Sequence, residues 1–398
     1  MVEFAKKYDI PQQLFWLHGP ITKPPVAYDP ATESWNVHGY QEALDVFGDP
    51  VAFSSDTIRL IPEELTSEGT VHLDGFITQM DPPEHGKLRK LAGSAFTRTV
   101  IADLEPRIAA LTGELLDAAR ERGGLELVAD LAYPLPVVVI AELLGVPASD
   151  RELFKRWADM LFLNNNPSSH KDVSDARKAE ARTSAGNWQE MADYLAAHAA
   201  ERRLHPRADL LTQLVEAEVD GERLPGEDVV NFAIVLLLAG HITTTLLLGN
   251  TVLCLDAYPE YQERARTDRS TIPAVIEESL RLLTPFAMMA RSTTRTIEIG
   301  GATIPPDEMV TVWLAAANRD PRVFAAPELF DLGRATNPHL AFGRGIHFCL
   351  GAPLARLEGR IALNLLFDRY GDLRVNTDQG VEFLDTSIMT GVGRLPLA

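Results

Sequence analysis

The most informative part of the sequence is FGRGIHFCLG, Phe342 to Gly351, where a cysteine stands among closely spaced glycines. A single cysteine is most often an inert buried residue. These glycines, however, permit tight turns and the close approach of a bulky group. A helical pattern starts directly after Cys349, and the free amides and the dipole at a helix start favour a thiolate. The stretch therefore predicts a thiolate that can serve as a soft ligand for iron.

The composition is that of a globular protein, with 398 residues of which 46% are hydrophobic and 23% are charged. Since no linker, repeat or low-complexity tract divides the chain, we expect a single domain over residues 1–398. The formal net charge of -19 argues against nucleic acid as a partner, because phosphate binding needs a concentrated basic surface. The two cysteines, Cys254 and Cys349, match neither a disulfide framework nor a zinc site, which indicates a reducing, cytoplasmic environment.

One segment has to be considered as a membrane span. Asn231–Leu255 contains no formally charged residue and exceeds the roughly 20 residues that cross a bilayer. Its flanks carry Glu227, Asp228 and Asp256 but no cluster of Lys or Arg that marks a cytoplasmic end. The opening stretch MVEFAKKYDIPQQLFWLHGP also lacks the apolar core of a signal peptide. We therefore expect a buried helix in a soluble protein and no membrane partner.

Helical patterns dominate the chain, with apolar residues recurring every three to four positions. The clearest of them are Val100–Arg122, Ser174–Arg203, Val229–Leu255 and Leu350–Tyr370. Strand patterns are short: two alternating segments flank Gly300-Gly301, and a smaller pair lies within Val26–Val37. The predicted fold class is mainly α with a minor β region.

In its spacing of phenylalanine, glycines, histidine and cysteine, FGRGIHFCLG resembles the haem-binding loop of the cytochrome P450 family. The resemblance implies that Cys349 is the axial thiolate ligand of the haem iron. It places Phe342 beside that ligand and His347 at a haem propionate. It also implies the family's triangular, mostly helical prism, with haem b between the central helix and the helix of the cysteine loop.

A second motif, VIEESLRLLTP, places Glu278 and Arg281 three residues apart. Such pairs are common on solvated helices, where they contribute only about 0.2–0.5 kcal/mol. The segment nevertheless resembles the family's Glu-x-x-Arg motif, a buried structural pair that locks the core to the cysteine loop. Many members complete this network with an arginine from a Pro-x-Arg-Phe stretch, and Leu329 takes that place here. Arg319 and Arg334 are both candidates to replace it.

A third motif, MDPPEHGKLRK, contains His85 and Arg89 four residues apart on one predicted helical face. Asp81 is the expected N-cap of that helix and Pro82 its expected first residue. An ordinary solvated basic face is the alternative interpretation. The resemblance to the family's Asp-Pro-Pro-x-His-x-x-x-Arg pattern implies instead that His85 and Arg89 bind the haem propionates. Arg291, in MMARSTT, matches a further propionate ligand.

The middle of the long apolar segment reads LLLAGHITTTLLL, residues 236–248. It resembles the family's oxygen-binding motif, in which small residues, here Ala239 and Gly240, leave room for O2. Thr243 matches the threonine whose hydroxyl helps to deliver protons during oxygen activation. We therefore expect this part of the central helix to face the haem.

Ile242 departs from the family pattern. Most members have Glu or Asp at this position, which relays protons from solvent to the threonine, and isoleucine carries no proton. Either an ordered water chain or a substrate hydroxyl supplies the protons, or the chemistry tolerates a weak relay. His241 can titrate, but the family places this position away from the oxygen, so we do not expect it to be the relay. Thr244 and Thr245 are expected to pack or to bond back to the helix.

Substrate contacts in the family come from variable segments, and for each candidate here core packing is at least as good an explanation. The apolar candidates are Leu73, Phe76, Leu163, Val235, Leu236, Ala239, Phe286, Met288 and Ile388. A pocket of such residues suits a medium-sized to large, mainly apolar molecule. The arginine-rich, lysine-poor composition and the central motif resemble actinobacterial enzymes of antibiotic biosynthesis that tailor macrolides and other polyketides.

Electrons must come from a partner, because the chain contains no flavin or nicotinamide domain. The resemblance implies a ferredoxin and its reductase. Ferredoxins are acidic, so docking on this acidic chain needs a local basic face. The candidates for that face are Lys87, Lys90, Arg98, Arg344 and Arg356, each of which could equally be ordinary surface charge. We expect the protein to be a monomer.

The leading hypothesis is a haem-thiolate monooxygenase that inserts one atom of O2 into a C–H or C=C bond of a small-molecule substrate. A peroxide-driven or non-oxygenating enzyme of the same fold is the second hypothesis, which hydrogen peroxide in place of the electron chain would distinguish. The third is a haem protein that binds a ligand without turnover. Such a protein would change its haem spectrum with the ligand but form no product.

Overall fold

The fold is that of a computed structural model, which describes residues 1–66, 76–162, 169–219 and 222–398. The substrate candidates Leu73 and Leu163 lie outside these ranges. The α-helices are α1 (Val2–Lys7), α2 (Tyr40–Gly48), α3 (Glu63–Thr66), α4 (Glu84–Ala95), α5 (Arg98–Asp103), α6 (Glu105–Glu121), α7 (Pro134–Leu144), α8 (Arg151–Phe162), α9 (Asp175–Leu204), α10 (Leu210–Glu216), α11 (Gly226–Ala257), α12 (Pro259–Thr267), α13 (Ile272–Leu282), α14 (Leu314–Ala317) and α15 (Ala352–Tyr370).

Strands are short, as predicted. They are β1 (Val26–Asp29), β2 (Ser34–Val37), β3 (Phe53–Ser54), β4 (Leu125–Glu126), β5 (Glu218–Val219), β6 (Glu222–Arg223), β7 (Met289–Thr293), β8 (Ile297–Ile299), β9 (Ala302–Ile304), β10 (Met309–Val312), β11 (Glu382–Phe383), β12 (Val392–Arg394) and β13 (Pro396–Leu397). The largest described sheet has the order β1-β2-β10-β7-β3. The expectation of a mainly helical fold with a minor β region is therefore confirmed.

Both strand pairs read from the sequence are present. β1 and β2 are antiparallel, with Val26 opposite Val37. β8 and β9 form a hairpin around Gly300 and Gly301, whose φ angles of 57° and 81° suit glycine in a tight turn. In the five-stranded sheet, β2 also pairs with β10, in parallel.

The central helix α11 packs against α7, α9, α13 and α15. It is long and apolar enough to cross a membrane, but 83% of its most apolar 18-residue window is buried inside the protein. The expectation of a buried core helix is thus confirmed. The main apolar cluster surrounds α11, a second fills the space between α2 and the sheet, and a third, small one contains Ile242, Leu246 and Met389.

The prediction of one helix over Val100–Arg122 is wrong. α5 ends at Asp103 and α6 begins at Glu105, with Pro106 in its first turn. Proline has no N–H to donate and its ring clashes with the preceding turn, so an uninterrupted helix cannot pass through Pro106. The apolar periodicity continues across the break because both helices face the same core.

Candidate active site

Cys349 lies between a 3₁₀ turn, Gly345–His347, and the first residue of α15, Ala352. Its N–H donates to the carbonyl of Phe342 over 2.9 Å, which closes the loop. Burial raises the pKa of the Cys349 thiol, whereas hydrogen bonds from the N–H groups of Gly351 and Ala352 act in the opposite direction. The start of α15 thus supplies N–H donors to the sulfur, as the sequence predicts, but burial outweighs them and the pKa of the thiol is raised.

Only glycine fits at position 345 of this loop. Its φ of 72° lies in the left-handed region, and a Cβ would stand 2.4 Å from the carbonyl oxygen of Phe47. Phe47 belongs to α2, so any side chain would separate the cysteine loop from that helix. The motif glycine therefore serves a close backbone approach.

Four basic side chains converge from separate parts of the chain. His85 and Arg89 lie on α4, Arg291 on β7 and His347 in the cysteine loop. The rings of His85 and His347 are 4.1 Å apart between centroids. Arg89 donates to the carbonyl of Phe348, next to Cys349 in the chain. The structure thus brings together the side chains predicted to bind haem carboxylates.

The predicted cap of α4 is wrong. Asp81 and Pro82 precede the helix, which begins at Glu84. The carboxylate of Asp81 accepts a hydrogen bond from the N–H of Ser55 over 2.8 Å, and the hydroxyl of Ser55 lies 2.8 Å from Nε2 of His347. Asp81 therefore connects the end of β3 and the residue after it to the basic cluster instead of capping α4.

The described surroundings do not neutralise this basic cluster. Nε2 of His85 is buried with no hydrogen-bond partner among the described residues. Burial lowers the pKa of Arg291 to about 10, with only Asp81 acting against it. Burial and then the charge of Arg291 lower the pKa of His347 to about 3. Two carboxylates would satisfy these donors, so the residues fit the propionates of haem, with Cys349 as the iron ligand.

Glu278 and Arg281 form a buried two-bond ion pair. Nε and NH2 of Arg281 lie 2.9 and 2.7 Å from the Glu278 carboxylate, and both side chains are at most 1% exposed. Arg334 adds a third bond to Glu278 over 2.9 Å. Arg319 instead pairs with Glu328 at 3.2 Å. Of the two candidates, Arg334 is therefore the one that completes the network.

Leu329, at the position where many family members have arginine, contributes its backbone. Its carbonyl accepts hydrogen bonds from Arg281 over 2.7 Å and from Arg334 over 3.0 Å. Its side chain is 52% exposed. The loop is thus held to the ion pair without any contribution from the Leu329 side chain.

On α11, Ala239 is exposed, and Gly240 and Thr243 are partly exposed, whereas the other residues from Val229 to Leu255 are buried. The hydroxyl of Thr243 donates to the carbonyl of Ala239 over 2.7 Å. A Cβ on Gly240 would stand 3.2 Å from Cγ1 of Ile140, so this glycine also lets α7 pack closely. Thr245 bonds back to the helix through the His241 carbonyl, as predicted.

Neither His241 nor Ile242 is suited to an acid–base role. The His241 ring packs edge-on against Tyr133 at 4.7 Å, and burial, then the charge of Lys155, lowers its pKa to about 3. The imidazole is therefore neutral near pH 7. Ile242 is 6% exposed and lies in the small apolar cluster with Leu246.

The described substrate candidates occupy two environments. Val235 and Leu236 are buried on α11, and the Phe76 ring packs at 5.4 Å from that of Trp188 on α9. The partly buried candidates are Phe76, Phe286, Met288 and Ile388.

The candidate docking residues are not equivalent. Lys87, Lys90 and Arg344 are exposed and form no ion pair within the described ranges. Arg356 is bound by Glu277 through two bonds of 2.6 and 2.8 Å, so its charge is largely neutralised. The side chain of Arg98 lies outside the described part of the chain.

Several partners of this site were not predicted from the sequence. Asn337 donates to Glu278 over 3.1 Å, and His339 lies 3.0 Å from Glu277. Buried Glu358 on α15 has a carboxylate oxygen with no partner among the described residues. Asn337 and His339 stand shortly before the cysteine loop, but nothing in their spacing indicates which glutamate they contact.

Comparisons with known proteins identify the family to which the chain belongs. The sequence profile of the family described as Cytochrome P450 matches residues 9–396. The chain is 42% identical to cyclomarin C epoxidase CymV of Salinispora arenicola, strain CNS-205, over 96% of this chain and 95% of that protein. It is 43% identical to erythromycin C-12 hydroxylase of Saccharopolyspora erythraea, over 96% and 94%. The crystal structure of HmtT, involved in himastatin biosynthesis, superposes with a TM-score of 0.87 at 50% identity, covering 99% of both chains.

Proposed function

The chain belongs to the cytochrome P450 family and is a monooxygenase, and we propose that it hydroxylates or epoxidises a medium-sized to large, mainly apolar natural product of the macrolide or peptide-antibiotic type. The named relatives act on such molecules, as their names state for cyclomarin C and erythromycin. Partly buried apolar side chains around α11 support a substrate of this kind.

The observation that carries the proposal is the cysteine loop. Cys349 receives N–H donors from the start of α15, and His85, Arg89, Arg291 and His347 gather beside it. A soft anionic sulfur next to basic groups that lack sufficient counter-charge is the arrangement that a haem iron with two carboxylates requires.

In this proposal the prosthetic group is haem b, whose iron Cys349 would bind, with Phe342 next to the cysteine loop. Haem, when bound, supplies the activation of O2 from which one oxygen atom enters the substrate. His85, Arg89, Arg291 and His347 would hold the two carboxylates of the haem and so orient the ring.

Thr243 is the proposed proton-holding group on the oxygen side. Its Oγ1 proton is directed at the Ala239 carbonyl, so the hydroxyl has to rotate away from α11 before it donates elsewhere. Ile242 has no proton to return to this hydroxyl. His241 is buried and neutral and packs against Tyr133, so it does not supply the proton either. We propose that water or a substrate hydroxyl replaces the proton.

We further propose that a ferredoxin and its reductase deliver electrons, and that the protein is a cytoplasmic monomer. Exposed Lys87, Lys90 and Arg344 support a basic docking face near the cysteine loop. An acidic ferredoxin would be attracted to this face although the chain as a whole is acidic.

The proposal is tested by turnover with macrolides and cyclic peptides, using ferredoxin, reductase, NADPH and ¹⁸O2. We expect one labelled oxygen atom in the product, detected by mass spectrometry. Product formation with hydrogen peroxide but not with the electron chain would favour a peroxygenase. Binding spectra without any product in both assays would favour a ligand-binding protein.

Thiolate ligation is tested separately. We expect the reduced carbon monoxide complex to show the red-shifted Soret band of thiolate ligation, and Cys349→Ala to abolish both this band and turnover. Cys254→Ala is the matched control, since that cysteine is wholly buried and burial raises the pKa of its thiol to about 12. A normal band in Cys349→Ala would contradict the assignment.

A further inference from the structure

The small apolar cluster around Ile242 joins the central helix to a part of the predicted substrate pocket. Ile242 and Leu246 of α11 are buried against Met389. Phe286 and Ile388, two of the substrate candidates, lie against this cluster and are only partly buried. Both side chains thus pack against this cluster and stay partly exposed.

The segments that carry Phe286 and Ile388 are bonded together as one unit, which we call the 286/388 wall (residues 285–287 and 388–390). The N–H of Ala287 donates to the carbonyl of Ile388 over 2.8 Å. The N–H of Thr390 donates to the carbonyl of Pro285 over 2.9 Å. A displacement of one segment therefore moves the other.

One end of the 286/388 wall is fixed to α11. Nδ2 of Asn250 donates to the carbonyls of Leu283 and Thr390, each over 2.8 Å. A Cβ on Gly391, whose φ is 156°, would stand 2.6 Å from Cδ2 of Leu246, so the backbone approaches the helix closely. This end cannot move relative to α11 without breaking directional bonds.

The side chains of Phe286 and Ile388, by contrast, pack against the apolar cluster to which Ile242 belongs. Such contact has no preferred direction, and in a close-packed core the neighbours follow the volume of the side chain. A carboxylate at this position would be surrounded by apolar side chains and unpaired, which is unfavourable. An isoleucine at position 242 therefore has two effects: it leaves the helix without an acid there, and it provides an apolar surface against which the 286/388 wall packs.

We propose that Ile242 is a positioning residue that sets how far the 286/388 wall extends into the substrate chamber, and thereby the size of molecule that the chamber accepts. The inference rests on the proposed function, because the chamber has this meaning only if a substrate binds beside the haem. Adjacent residues of α11 then have separate roles: the Thr243 hydroxyl carries a proton, and the Ile242 side chain positions the 286/388 wall.

The test is the affinity of the ferric holoenzyme for two azoles, measured from the Soret shift. Imidazole reports access to the iron, and clotrimazole reports the room around it. In Ile242→Ala the wall relaxes towards α11, so the Kd of clotrimazole relative to that of imidazole should fall by about tenfold, the effect of methylene-sized changes in apolar pockets. Ile242→Phe should raise the same ratio.

Ile234→Ala is the matched control, because Ile234 is a fully buried isoleucine of the same helix in the main core. It should leave the azole ratio unchanged. If the Ala or Phe variant of Ile242 does not fold, Ile242→Val carries the test with a smaller fall. An unchanged ratio in the folded Ile242 variants, or an equal change in Ile234→Ala, would overturn the inference.

Hydrogen exchange gives a readout that needs no ligand in the chamber. The peptide covering Ala287, whose N–H donates to the carbonyl of Ile388, should exchange faster in Ile242→Ala and at the wild-type rate in Ile234→Ala. Wild-type rates in both would count against the inference. Absence of the thiolate Soret band in the parent protein would refute the proposed function, whereas a normal band with an unchanged azole ratio refutes only the role of Ile242.

Discussion

Two glutamates in this chain are followed at the third position by an arginine, and they form nearly the same contact. Arg281 binds Glu278 at 2.9 and 2.7 Å, and Arg266 binds Glu263 at 2.8 and 2.7 Å. The first pair is at most 1% exposed, whereas the side chains of the second are 45% and 58% exposed. The spacing is therefore no guide to the energy, because burial decides whether the pair is structural.

The first way to test this comparison removes one charge from each pair. Glu278→Gln leaves Arg281 and Arg334 buried without an anion, so we expect at least about 3 kcal/mol less unfolding free energy. Glu263→Gln, the control, should cost less than about 1 kcal/mol because solvent already screens that pair. Urea unfolding of the holoenzymes measures both. Equal losses would show that burial does not separate the pairs.

The second test asks which arginine belongs to the buried pair. A double-mutant cycle of Glu278→Gln with Arg334→Leu should give a coupling energy of about 1–3 kcal/mol, since the two side chains are in contact. The same cycle with Arg319→Leu should give a value near zero, because Arg319 pairs with Glu328. Comparable coupling in the two cycles would contradict the assignment of Arg334.

The third test uses Glu358, which is 1% exposed and has no arginine in contact with it among the described residues. Burial raises the pKa of Glu358 to about 8. Between the unfolded value of about 4.5 and pH 8, the folded state keeps a proton that the unfolded state loses. Stability therefore falls as pH rises, by up to about 1.4 kcal/mol per pH unit.

Glu358→Gln should remove that slope and leave the variant more stable than the parent at pH 8, with little difference at pH 4.5. Urea unfolding at several pH values measures the slope. Glu263→Gln should keep the parental slope. A Glu358→Gln variant that keeps it too would place the titrating group elsewhere.

The smallest effect on stability is expected for charges that are exposed and unpaired. Reversing Lys87, Lys90 and Arg344 to Glu should change the unfolding free energy by no more than about 0.5 kcal/mol. Reduction by ferredoxin should nevertheless become slower and lose its salt dependence, as stopped-flow kinetics can show. The same reversal of Arg120, Arg203 and Arg264, which are exposed on other helices, is the control. Unchanged reduction kinetics in the first triple variant would rule out this docking face.

The sequence predicts the cysteine side of the site well because that side consists of directional contacts at fixed spacings. His85, Arg89, Arg291 and His347 converge as their motifs imply. The cap at Asp81 is predicted wrongly because the residue bonds to Ser55, which is distant in sequence. Local propensity cannot anticipate such a partner.

The α11 side is less predictable for a different reason. Apolar packing leaves no short motif, so the sequence identifies Ile242 only as an exception to a family pattern. Its partner Met389 lies far along the chain, and neither residue indicates the other. The break at Leu104 is hidden for a related reason: the apolar period continues across it, although Pro106 in the first turn of α6 cannot donate a hydrogen bond back to α5.

The exposed side chain of Leu329 also offers a place for a spectroscopic probe. A cysteine introduced there would carry a nitroxide or fluorophore on the residue whose carbonyl binds both Arg281 and Arg334. The native thiol of Cys254 is buried and that of Cys349 is only partly accessible, so the new thiol would react first. The label would report movements of the Glu278 network without replacing any atom that forms it.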